Sequence, residues 1–478
     1  MRNYKGEITV FLSLMLTILL SVLFTVIETA RNNAVDFQTE CAVDMAMQSA
    51  LAEYNKEALE QYDLLLTDIG YGTGEGGYIL LEQHLKGYLE DNLAIRNTLL
   101  TDRITDLLQI SVGSVAVTEA TGMADGNGMV LERKAVDYML DLYGMEDFSA
   151  FLSISSTVEQ EGFLEHAMEE KRLENEQKID QVDTTVTDEE GNRHRVPINN
   201  PADAVNSRRG SSTILKLITG KKGISEQEAD LKTCISHRDA GQRDGWLQNK
   251  EKLSPAEELL FQKYLMRKCG TYVTEKENSH LRYQMEYILA GKNSDRENLR
   301  IVTERVIMLR ETANFLYLLS DSGKKAEAEA LAMTLSAVIL FPELKDLIKV
   351  SILIGWAYAE SVNDCKVLLE GGKVPLLKSS ADWKISLKNA MKLELEDSGT
   401  GSEKGLSYED YLHILLAVSD KGTRNMRFMD LMEMDIRQTP GNKEFCLDHC
   451  IHAFTAEITT YSAKGHGCMI TRTAGYEK

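Results

Sequence analysis

Residues 8–27 read ITVFLSLMLTILLSVLFTVI: twenty residues without a charge, a glycine or a proline. At 1.5 Å per residue a helix of that length spans about 30 Å, the thickness of a bilayer's hydrocarbon core. Signal-peptide apolar regions are shorter and end in a small-x-small cleavage site. Here Glu28-Thr29-Ala30-Arg31 follows, and no such site is present. The segment therefore reads as a retained anchor in contact with the lipid bilayer through residues 8–27, with Ile8, Phe11, Leu14, Leu20, Phe24 and Ile27 among its lipid-facing side chains.

The flanks give a direction. Arg2 and Lys5 precede the run, whereas Glu28, Asp36, Glu40 and Asp44 follow it and Arg31 is the one basic residue before Lys56. The positive-inside rule places residues 1–7 in the cytoplasm as a short tail and the rest outside. The expected location is the cell membrane, single-pass, with an extracytoplasmic body. Ala330–Phe341 and Val350–Ala359 are apolar but too short to span, and read as buried helices.

No glycine or proline interrupts Glu7 to Ile69, which favours long helices. Residues 28–108 read as long helical segments with a glycine-rich break at 70–77. Ala34, Phe37, Cys41 and Met45 fall at helical spacing and are the residues expected to pack on an external domain. Residues 109–182 read as strand, turn and helix: QISVGSVAVTEATGM alternates apolar and polar residues, with a bulge expected near Gly113, ADGNG is a turn, and a helix follows to a Gly144 C-cap. Residues 183–253 read as a linker, and 254–452 as a helical body opened by the capping box Ser254-Pro255-Ala256-Glu257, with a second helix start at Ser407-x-x-Asp410. Residues 453–478 form a closing β-hairpin whose first strand suits pairing with the strand near Val115. The fold class is mainly α with a small antiparallel β-sheet (α+β), and a long N-terminal helix that begins as a transmembrane span.

The chain has 478 residues, 43% hydrophobic and 27% charged, which is ordinary for a folded protein of one or more domains. A net charge of −21 argues against nucleic acid as a partner. Seven cysteines are spread thinly, unlike a disulfide scaffold.

Motifs for chemistry are weak. Gly72-x-Gly74-x-x-Gly77 matches a dinucleotide fingerprint, but no strand ending in an acid follows at the required distance, so a turn is the simpler reading. Cys446, His449 and Cys450 in CLDHCIH would share a face on a helix, where a metal site is geometrically feasible, although a core helix with small thiols explains them better. Asp125-Gly126-Asn127-Gly128 lacks the later acids of a calcium loop. Glu360 and Asp364 lie one helical turn apart and face solvent or a polar seam. No catalytic residue, metal ligand set or cofactor is assigned, and the chain reads as not an enzyme.

Several stretches carry a resemblance: KGEITVFLSLMLTILLSVLFTVIETAR at the start, MEYILAGKNSDRENL (285–299), GWAYAESVNDCKVLLEGGKVPLLKSSADW (355–383), LSYEDYLHILLAV and MRFMDLMEMDIR. Together they resemble a family of single-pass membrane-anchored proteins of unknown function from Gram-positive bacteria, found near tight-adherence (Tad) pilus or type II secretion-like genes. The first segment is also similar to Tad-type minor pilins, which carry a basic leader, a glycine and an apolar helix. That similarity implies processing by a leader peptidase between Gly6 and Glu7. Pilins carry a glutamate five residues after the glycine, where this chain has Phe11. The resemblance implies a non-enzymatic, membrane-anchored envelope protein, a pilus- or secretion-associated pseudopilin-like or assembly component with pilin or secretion-machinery partners. The alternatives are a membrane-tethered scaffold or adhesin, and an extracytoplasmic hydrolase with no recognisable motif.

Overall fold

The computed structural model describes residues 5–94, 106–143, 167–220, 222–238, 253–396 and 405–476. Gly144, the segments 95–105 and 157–166, and 239–252 of the expected linker lie outside these residues. The chain forms two compact units. It starts in the first (1–134), passes through the second (135–238 and 252–435), and returns to the first at 436–478.

The first unit opens with α1 (Lys5–Leu51), 47 residues without a break. The helical expectation extended to Ile69, but the chain turns after Leu51. Asn55 caps a short α2 (Lys56–Tyr62) by accepting from the Ala58 amide, and Asp63 ends it in the left-handed region at φ 54°. Capping side chains have stopped a helix here without glycine or proline. The two-residue strand β1 (Thr67–Asp68) follows, then α3 (Ile79–Leu93), which buries Leu81, Leu85, Leu89 and Leu93 at four-residue spacing. Strand β2 (Ile110–Gly122) leads to α4 (Asp125–Tyr143), whose first residues Gly126, Asn127 and Gly128 all have positive φ, so DGNG is a left-handed turn.

The second unit holds α5 (Ala167–Gln181), the hairpin β3 (Thr185–Thr187) and β4 (Arg193–Arg195), and the short helices α6 (Asp203–Asn206) and α7 (Ser212–Thr219). Expected as a linker, 183–238 is folded over its described part: Val205, Ile214, Leu215, Ile218 and Ile235 are buried. Spaced apolar residues between polar ones secure it, a pattern the surrounding Asn, Pro and Arg obscure. The helical body continues through α8 (Pro255–Lys268), α9 (Gln284–Ala290), α10 (Asp295–Ser320), α11 (Ser322–Met333), α12 (Ser336–Leu340), α13 (Leu344–Leu369), α14 (Leu387–Ala390), α15 (Tyr408–Ala417) and α16 (Lys421–Arg437). Both capping boxes form, Ser254 with Glu257 and Ser407 with Asp410. Helix α13 is buried throughout 351–365, as expected of Val350–Ala359. The Ala330–Phe341 segment differs: Met333, Ile339 and Leu340 are exposed, because its two short helices bury one side each, through Ala328 and Ala332 and through Ala337 and Val338.

Back in the first unit, β5 (Cys450–Ser462) and β6 (Gly467–Gly475) close an antiparallel sheet. Strand β5 is central, with β2 along one edge and β6 and then β1 along the other. Val115 pairs with Ile458, and the register shifts between Val112 and Val115, at Gly113. The core joins Ala42, Val43, Ala46, Met47 and Ala50 of α1, the α3 leucines, Val117 and Ala120 of β2, and Ile451, Phe454, Ala456 and Ile458 of β5. Thus the face of α1 that packs on the sheet is not the expected one. Ala34, Phe37, Cys41 and Met45 point away from it and are exposed. Alanines let the helix backbone approach the sheet closely, which a phenylalanine stripe would prevent.

Candidate functional site

The first candidate site is the apolar half of α1. Ile8, Phe11, Leu14, Leu20, Phe24 and Ile27 are all exposed, and among the described residues this is the one helix long and apolar enough to cross a membrane. Contiguous apolar surface on this scale marks a place of contact with lipid or protein. Its polar side chains are satisfied within the helix. Ser13 donates to the Val10 carbonyl, Thr17 to Ser13, Ser21 to Ile18, Thr25 to Ser21 and Thr29 to Thr25, at 2.8–2.9 Å. A hydroxyl bonded to its own helix requires no water, which is what hydrocarbon demands. Gly6 and Glu7 lie in the first turns of the same helix.

Beyond the bilayer-length segment, the acids of α1 meet bases of the closing hairpin. Asp36 lies 2.8 Å from His466 Nε2, Asp44 2.7 Å from Arg472 Nε, and Glu28 3.4 Å from Lys464 Nζ. Three of the four acids that follow the apolar run therefore help seat the helix on its sheet.

The second candidate is the set of buried carboxylates in the second unit. Glu360 and Asp364, for which the sequence offered no partner, line a sealed polar seam. Asp364 accepts from Arg310 (Nε 3.1 Å, Nη2 3.0 Å), from Asn314 at 3.0 Å and from Lys378 at 2.6 Å. Glu360 pairs with Lys378 and accepts from the backbone amides of Lys384 (3.0 Å) and Ile385 (2.8 Å). Burial pushes the Asp364 carboxyl up, but the Lys378 and Arg310 charges outweigh it and hold the group below the usual carboxylate range. Two basic side chains meet two carboxyls, and burial, with Asp364 alongside, pushes the Glu360 carboxyl up. The missed partners were Arg310, an arginine inside the apolar run VIMLRETANFLYLL, and Lys378, in an extended segment with no periodicity to place it.

The other motif acids act alike. Asp295 accepts from the amides of Arg282 and Tyr283, both at 3.1 Å, leaving Ser294 to cap α10. Asp430 holds the amide and hydroxyl of Ser236 and the hydroxyl of Tyr287. Glu433 takes the Ile235 amide at 3.1 Å and pairs with Arg238. Asp435 gathers Lys276, Ser279 and Gln284 within 3.0 Å. Each carboxylate fixes a loop that has no ladder of its own, over 235–238, 276–284 or 384–385. In MEYILAGKNSDRENL the expected helix end forms at Gly291, left-handed at φ 68°.

Glu286 is also held by neutral donors. Its Oε1 accepts from the Tyr272 amide at 2.8 Å and the Tyr408 hydroxyl at 2.9 Å, and burial pushes its carboxyl up to about 7. A carboxyl whose folded value is raised stabilises the fold below its unfolded value of about 4.3 and loses that contribution as pH rises through 7. Glu286→Gln keeps an acceptor for Tyr272 and has no proton to lose. Between pH 5 and pH 8 the variant is expected to gain on the wild type by on the order of 3 kcal/mol, read as the change in their relative urea midpoints.

The remaining motifs resolve into packing. CLDHCIH is not a helix: a single 3₁₀ turn, Leu447–His449, leads into β5 at Cys450, because Cys450 pairs with Asp68 of β1. Extended backbone abolishes the shared face that Cys446, His449 and Cys450 would have had. The Cys450 thiol donates to the Cys446 carbonyl at 3.4 Å, and no disulfide joins any of the seven cysteines. The glycine-rich break packs on this turn. A Cβ on Gly76 would sit 2.5 Å from His449 Nε2, and Gly72 and Gly74 have φ of 81° and 79°. Asp68 accepts from the amides of Gly70 and Gly72 at 2.9 and 3.0 Å. Close approach and left-handed turns account for these glycines without a phosphate.

A family model described as a family of unknown function, DUF5702, matches residues 191–462, more than half of the chain. The chain belongs to DUF5702. No curated protein and no solved structure matches it. The DUF5702 region begins beside β4, contains every buried carboxylate described above in the second unit, and ends on the last residue of β5. The apolar half of α1 lies outside it.

Proposed function

We propose that this protein is a non-enzymatic, membrane-anchored component of the cell envelope that serves in the assembly of a pilus- or secretion-type machine. The observation that carries the reading is the unbroken α1. One helix presents bare apolar surface over 8–27 and packs on the sheet from Val35 onward, so a folded unit is fastened rigidly to a membrane-length segment. The charge asymmetry across the segment supports a cytoplasmic N-terminus and an external body. The buried carboxylates support a scaffold: they are committed to backbone amides and cations, and not presented to a cleft.

The test is the intact mass and N-terminal sequence of the protein extracted from its native membrane, with identification of the proteins that copurify. A chain that keeps residues 8–27 and brings down pilin, platform or pilus-type ATPase proteins is expected. Starting at Glu7, it would be a processed pseudopilin; starting at Met1, a stationary assembly component. A chain that begins beyond Ile27, or one that retains its anchor but copurifies with none of these proteins, overturns the reading.

A further inference from the structure

The outward face of α1 does not stop at the membrane boundary. Ala34, Phe37, Cys41 and Met45 form an exposed stripe on the side opposite the sheet, with Phe37 68% and Met45 49% exposed. Stepping back by three or four residues, the same stripe runs through Ala30, Ile27, Leu23, Leu19, Leu16 and Leu12, all exposed. The mean step is close to the 3.6 residues of a helical turn, so the stripe stays on one side of a straight helix. The hydroxyl row from Ser13 to Thr29 winds round other sides and does not interrupt it.

We propose that two copies of this chain pair in parallel along this stripe, with Ala34, Phe37, Cys41 and Met45 forming the part of the seam outside the bilayer. The proposal rests on the retained-anchor reading above. Its external part lies roughly 10–27 Å beyond Ile27 at 1.5 Å per residue. It continues the lipid-contacting surface without a break. A partner that covers both parts must itself be a helix leaving the bilayer at the same point, and a second copy supplies one in register. Four side chains fall short of the ~800 Å² per partner of a stable interface, so the intramembrane stripe has to complete the seam. Charge permits the approach: Asp44, the acid nearest the stripe, is already paired with Arg472 of its own copy, and Glu40 and Asp36 lie about 100° and 140° round the helix.

The experiment uses the full-length chain in proteoliposomes, treated with a short bis-maleimide. The wild type is expected to give a covalent dimer through Cys41 that is lost in Cys41→Ser. Adding Phe37→Cys or Met45→Cys to Cys41→Ser restores the dimer. Adding Glu40→Cys, exposed but about 100° round the helix, gives at least tenfold less. These positions are all on the surface, so the fold is not at stake. Equal cross-linking at Glu40, or none at 37, 41 and 45 in protein that floats with the vesicles, overturns the pairing and leaves the anchor intact. Protein that does not float with the vesicles overturns both.

Discussion

Replacing Arg310 with methionine is expected to cost the second unit about 3–5 kcal/mol, the usual result of removing one partner from a buried ionic cluster. Arg310 is fully buried, and its guanidinium makes six hydrogen bonds to five acceptors: two to Asp364 Oδ2, and one each to the Asn314 side chain, the carbonyls of Pro375 and Leu376, and the Tyr411 hydroxyl. Methionine fills much of the volume and satisfies none of them. Asp364 would then face Glu360 with Lys378 as the sole remaining cation. The pH dependence separates this from simple loss of packing. In the wild type the depressed Asp364 carboxyl stabilises the fold above its unfolded value of about 3.9, and that contribution is lost as pH falls. The variant has less of it to lose, so the gap between the two proteins should narrow below pH 4. Urea unfolding followed by tryptophan fluorescence reports on the right place. Trp356 and Trp383 lie edge to face at 5.7 Å, and both donate to the Ile385 carbonyl beside this cluster.

The second large effect is expected in α1. Arginine at the centre of a spanning helix costs about 2.5–3.5 kcal/mol per residue. Leu14→Arg together with Leu20→Arg should therefore remove about 6 kcal/mol of insertion free energy, and most of the protein should leave the carbonate-resistant membrane fraction. Both side chains are exposed and remote from the sheet-packed residues, so the folded units should be unaffected. Circular dichroism of the released protein checks this. Full retention of the double variant in the membrane would mean that residues 8–27 are not what holds it there.

The broad architecture was legible in the sequence because it rests on local signals. Twenty uncharged residues give the long helix, alternation gives β2, and the Ser254 and Ser407 boxes give two helix starts. What was not legible depends on choices between locally equivalent options. Helix α1 carries two interleaved apolar stripes, one of Val35, Ala42, Val43, Ala46 and Ala50, the other of Ala34, Phe37, Cys41 and Met45. Periodicity detects both and cannot say which one the sheet accepts. The turn at CLDHCIH is decided by pairing with β1, nearly 400 residues earlier. The ion cluster escaped for a similar reason: Glu360, Asp364, Arg310 and Lys378 come from two helices and an extended segment, and nothing in one helix's pattern announces a cation on another.

The route of the chain, out of the first unit, through the second and back, sets an order of events during synthesis. Strand β2 pairs with β5 across more than 330 residues, so at about 5–20 residues per second it waits tens of seconds for its neighbour. During that time β2 presents unsatisfied edges. The intervening unit, whose helices pack mostly on near neighbours, can condense first and shorten the loop that β5 must close. Loss of the last thirty residues, which removes β5 and β6, would therefore leave β1 and β2 without the strand they pair with, while the sequence of the second unit is intact.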